Sequence, residues 1–149
     1  MRGRHTCEDD TDRWSRRDWW GVVLEAPDAR ALAQFYAELL GWSVAAEDPE
    51  HAAIAPPDGV AYLAFQTSPT FQAPAWPPRA DAPQMSMHLD FQVSDLDAAV
   101  EHAVALGATL ADHQPQDGMR VLADPAGHPF CLYLDTDAEA PPTHEAHAD

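Results

Sequence analysis

The strongest constraint in this chain is a segment that it contains twice. Residues 22–41 read VVLEAPDARALAQFYAELLG and residues 89–107 read LDFQVSDLDAAVEHAVALG. Each opens as an alternating strand, passes an Asp suited to a helix N-cap, and closes on a Gly after an apolar helical stripe. Superposing Asp28 on Asp95 takes an offset of 67, and Gly41 on Gly107 takes 66, so one deleted residue relates the copies. Strand-rich sequence follows each helix, which gives a β-α-β-β-β unit occurring twice. A unit of this size cannot cover its own sheet, so its sister copy is the natural partner. The cleft left where two sheets meet is the natural place for function.

The chain has 149 residues, enough for one compact domain with a real core. No run approaches the ~20 apolar residues of a membrane span, and the charged N-terminus has no signal-peptide pattern. Of the two cysteines, Cys7 lies in the leader and Cys131 near the other end. No disulfide is expected between them, which fits a cytoplasmic address. Net charge is −17, and residues 19–134 carry three Arg against fifteen Asp and Glu. Such a body repels phosphate backbones, which argues against nucleic acid as a partner and favours a cationic or neutral small molecule.

Residues 1–18 lack periodicity and read as a disordered leader. Residues 19–135 read as a single domain: module one over 19–66, a linker over 67–85, module two over 86–135. Residues 136–149 form an acidic, Pro-containing tail. In module one, a strand over 19–25 precedes a helix capped by Asp28 and stopped by Gly41, with Leu32, Phe35, Tyr36 and Leu39 on one stripe. Strands are expected over 42–47, 51–55 and 60–66. Five prolines between Pro69 and Pro83 exclude a regular element from the linker. In module two, a strand over 87–93 precedes a helix capped by Asp95, and strands follow over 109–113, 120–123 and 129–134. The turn Asp124-Pro125-Ala126-Gly127 leads into the last of them.

Alternation then assigns faces. Leu89, Phe91 and Val93 share one side of their strand and pack under the helix, whereas His88, Asp90 and Gln92 share the other. Three polar side chains in a row imply a wet or ligand-filled concavity, because burying them unpaired would cost a few kcal/mol each. Offset 67 maps them onto Gly21, Val23 and Glu25. Setting Gly59 on Gly127 aligns Leu63 with Cys131 and Phe65 with Tyr133. The expected cleft face is therefore Gly21, Val23, Glu25, Leu63, Phe65, His88, Asp90, Gln92, Cys131 and Tyr133.

The paired units, the segment HLDFQVSDLDAAV and the turn-strand DPAGHPFCLYL resemble the vicinal oxygen chelate superfamily: glyoxalases, extradiol dioxygenases and bleomycin-resistance proteins. The resemblance implies an α+β fold in which paired β-α-β-β-β modules curl into a cup-shaped mixed sheet, often completed by a homodimer. Metal-dependent members place a ligand on each of four equivalent strands. Carried over, those positions fall on Gly21, Leu63, His88 and Cys131. Gly21 and Leu63 offer no ligating side chain, so no metal cofactor is favoured; His88 is the first choice if one binds. A divalent catalytic ion normally takes about three protein ligands.

His88 is the one residue proposed as catalytic. Glu25, Phe65, His88, Asp90, Gln92, Cys131 and Tyr133 are the expected ligand-binding set. With the metal positions incomplete, the expected function is binding of a cationic or aromatic small molecule, of the antibiotic-sequestering type. The alternative is a glyoxalase-like lyase, isomerase or dioxygenase that uses His88, with or without a divalent metal.

Overall fold

A computed structural model describes residues 18–134. Apart from Asp18, the expected leader and tail lie outside the described residues. The chain runs β1 (Trp20–Ala26), α1 (Ala29–Leu40), β2 (Ser43–Glu47), β3 (His51–Ala55), β4 (Ala61–Thr67), β5 (Leu89–Gln92), α2 (Leu96–Ala105), β6 (Thr109–Leu110), β7 (Met119–Ala123) and β8 (Pro129–Tyr133). Two four-stranded sheets result, ordered β1-β4-β3-β2 and β5-β8-β7-β6. In each, the first strand pairs parallel with the last and the other pairs are antiparallel. The two halves therefore share one topology, an α+β arrangement of two open mixed sheets.

The caps set the helices. The Asp28 carboxylate accepts from the backbone N–H groups of Arg30 and Ala31 at 3.0 Å, and Asp95 accepts from Ala98 at 3.0 Å. Both satisfy donors that a helix N-terminus leaves open. Gly41 ends α1 in the left-handed region at φ 65° and donates to the Ala37 carbonyl.

The helix-facing sides of both sheets enter one core. Tyr36 of α1 lies at its centre, stacked on Phe65 of its own module at 5.8 Å and against Phe91 and Phe130 of the other at 6.2 Å. Helix α1 is thus shared by the two modules. Its hydroxyl donates to Asp124 Oδ2 across the junction at 2.9 Å.

The strand expected over 109–113 is shorter, spanning only Thr109–Leu110. The Gln114 side chain takes over from it: its Oε1 accepts from Val121 N at 2.8 Å and its Nε2 donates to the Ala111 and Val121 carbonyls. Pro115 follows at once and has no N–H to extend the ladder.

The linker over 68–88 has no helix or strand and lies on module two. Phe71 packs on the His128 ring at 4.8 Å, and Trp76 Nε1 donates to the His113 carbonyl. Gly127, at φ 96°, sits where a Cβ would come within 2.6 Å of Ala73 Cβ. That turn needs glycine both for its backbone and for the linker above it.

Candidate functional site

The side of the second sheet away from the core carries most of the candidate residues. His88 immediately precedes β5, and Asp90 is two residues on, so both project to one side. His88 Nε2 lies 3.2 Å from Asp90 Oδ1, with the two side chains 38% and 50% exposed. Parallel pairing sets Asp90 beside Cys131 and Gln92 beside Tyr133. Cys131 is only 6% exposed. Its thiol pKa is pushed up to about 11, chiefly by burial and then by the Asp90 charge and hydrogen bond. A thiol held protonated is a poor nucleophile at neutral pH.

The ligating atoms of His88, Asp90 and Cys131 all lie within 4.8 Å of one another. Imidazole, carboxylate and thiol are donors that a divalent ion such as zinc accepts, and three of them leave an open position. The set fits such an ion in kind and number. Asp90 is the donor that the family's four positions do not supply.

Module one is built differently. Glu25 Oε1 accepts from Gln66 Nε2 at 3.0 Å, and the two stand side by side on β1 and β4. At Gly21, the counterpart of His88, an added Cβ would lie 2.6 Å from the Tyr62 ring and carbonyl. The Tyr62 ring covers the place where a ligating side chain would begin.

Two expected cleft residues are corrected. Leu63 and Phe65 face the helix side, where Phe65 is 1% exposed and stacks on Tyr36. The register pairs Gly21 with Tyr62, Val23 with Ala64 and Glu25 with Gln66. Tyr62, Ala64 and Gln66 therefore occupy the face assigned to Leu63 and Phe65. Of the expected ligand-binding set, Glu25 lies on the corresponding face of the first sheet. His88, Asp90, Gln92, Cys131 and Tyr133 share that of the second, and Phe65 is in the core.

This architecture defines a class, the vicinal oxygen chelate superfamily. A family model for the glyoxalase-like domain matches residues 21–133, and the chain belongs to that family. Solved structures agree on the fold. A glyoxalase/bleomycin resistance protein/dioxygenase family enzyme from Burkholderia phytofirmans PsJN superposes with TM-score 0.57 at 20% identity, covering 76% of this chain and 95% of that one. A glyoxalase-related enzyme from Fulvimarina pelagi gives 0.56 at 24% identity over 77% and 86% of the two chains. A glyoxalase/bleomycin resistance protein from Albidiferax ferrireducens T118 gives 0.54 at 17% over 78% and 97%. No curated protein sequence matches the chain. Among the described residues, no helix is long and apolar enough to cross a membrane.

Proposed function

We propose that this glyoxalase-like protein binds a cationic or aromatic small molecule against the His88–Asp90–Cys131 face, in the manner of a sequestering protein. One observation carries the reading: a half-exposed Asp90 carboxylate is set beside His88 on an open sheet face. The strongly acidic chain, at −17, adds a field that draws cations in. Tyr133 supplies a ring beside Gln92 for stacking. A cytoplasmic address and a homodimer belong to the same reading, and light scattering on the purified chain tests the second.

Thermal melting with bleomycin and with acriflavine tests the binding. A ligand specific for the folded state raises the melting temperature in proportion to the logarithm of its concentration over Kd. The shift should vanish in Asp90→Asn. No shift at millimolar concentrations of either compound would sink the reading.

The three clustered donors favour a second reading, a glyoxalase-like lyase, isomerase or dioxygenase. A divalent metal held by His88, Asp90 and Cys131 would supply Lewis-acid polarisation of a substrate oxygen. Without metal, Asp90 engages Nε2 of His88 and leaves Nδ1 as the nitrogen that takes or returns a proton. Metal analysis of protein purified without chelators separates the readings. Stoichiometric zinc, iron, nickel or manganese that is lost in His88→Ala supports the enzyme over the binder.

A further inference from the structure

We infer that a cavity at the junction of the two modules, bordered on one side by His88, accepts a single-ring phenol. The cavity holds about 360 Å³. Its walls are Val22 and Leu24 of β1, Tyr36 of α1, the segment Ser86–Leu89 with His88 in it, and His128 and Pro129 at the head of β8. Both modules contribute, and the lining is mainly apolar. A volume near the low end of the ~300–1,000 Å³ typical of ligand cavities suits one ring and a small substituent.

Beside His88, the polar side chain at the cavity is His128, backed by the buried Asp124. Asp124 is 4% exposed. It accepts from Tyr36 Oη at 2.9 Å, from the backbone N–H of Ala126 at 2.9 Å and from that of His128 at 3.0 Å. Its Oδ2 also lies 2.9 Å from His128 Nδ1. An ionised carboxylate only accepts, so this contact assigns the neutral imidazole's proton to Nδ1 and its lone pair to Nε2. Among the described residues, Nε2 has no hydrogen-bond partner. Phe71, packed on the ring at 4.8 Å, adds to what holds its plane.

An imidazole lone pair backed by a buried carboxylate selects a ligand that brings an O–H. Proton transfer from that O–H to Nε2 would give an imidazolium that Asp124 stabilises and an oxyanion beside it. Weakly acidic phenols gain most from this, because their oxyanion forms readily. An aromatic body also matches the apolar walls. Leu89 and Asp90 project to opposite sides of β5, and His88, which borders the cavity and pairs with Asp90, joins the cavity to the open face.

Titration of the full chain with 4-nitrophenol tests the assignment, since its absorbance distinguishes phenol from phenolate. The control is 4-nitroanisole, which keeps the ring and lacks the O–H. The chain should bind 4-nitrophenol at least tenfold more tightly than the ether and shift bound ligand toward phenolate. His128→Phe keeps the ring stack and removes the nitrogen; Val22→Phe fills the cavity from β1 and leaves the couple intact. Each should weaken 4-nitrophenol binding at least tenfold while preserving a cooperative melt. Absence of binding, equal affinity for phenol and ether, or binding that survives either cavity variant would each overturn the inference.

Discussion

Cys131 shows how a strand's register dictates one side chain's chemistry. The thiol is buried and faces a carboxylate, so its proton stays on to about pH 11 instead of leaving near 9.0. Below pH 9 the folded and unfolded thiols are both protonated, and the stabilising difference is whole. As pH rises from 9 to 11 the unfolded thiol ionises first, and stability falls. Tyr36, whose hydroxyl is held protonated by burial and by Asp124, loses stability in the same direction at higher pH. Urea unfolding of a Cys7→Ser background should show this loss, and Cys131→Ala in that background should flatten it between pH 9 and 11. Alkylation by iodoacetamide should likewise stay slow at neutral pH and be faster in Asp90→Asn, which removes the opposing charge.

At the scale of elements, the turn before β8 is the most demanding piece. Gly127→Ala places a methyl against Ala73 and forces a side chain into positive φ. A loss of about 1–3 kcal/mol is expected, measured by chemical denaturation. Asp28→Ala, by contrast, should cost about 1 kcal/mol through the α1 cap alone.

The same turns explain what could and could not be read from sequence. The helices were legible because Asp28, Gly41 and Asp95 are local signals with local causes. The face of β5 was legible because Leu89 and Phe91 alternate with Asp90 and Gln92. Strand β4 misleads by one residue. Aligning Gly59 with Gly127 implies an offset of 68, but pairing Val22 with Leu63 and Leu89 with Phe130 requires 67. A one-residue slip exchanges the faces of a whole strand. Matching the large apolar residues Leu63 and Phe65 to Phe130 and Leu132 finds the true register. The contact of Asp90 with Cys131 depended on β5–β8 pairing, which no single segment encodes.

For the molecule as a whole, the decisive fact is that α1 serves two sheets. Tyr36 touches rings from both modules and bonds Asp124 across their junction. The two copies should therefore unfold together: far-UV circular dichroism and tryptophan fluorescence should trace a single denaturation curve. Tyr36→Phe keeps the ring packing but leaves a buried carboxylate short of a donor, and should lower stability by about 2 kcal/mol. Separate transitions for the two probes would show instead that the modules fold independently.

The two copies are equivalent in topology at the start of their first strands, and Tyr62 breaks that equivalence in one of them. With its ring lying over Gly21, a change at Gly21 alone runs into both the ring and the backbone behind it. Regaining a donor there needs a simultaneous retreat at Tyr62. At this position the first half is closed to a ligating side chain, whereas the second presents His88 beside Asp90.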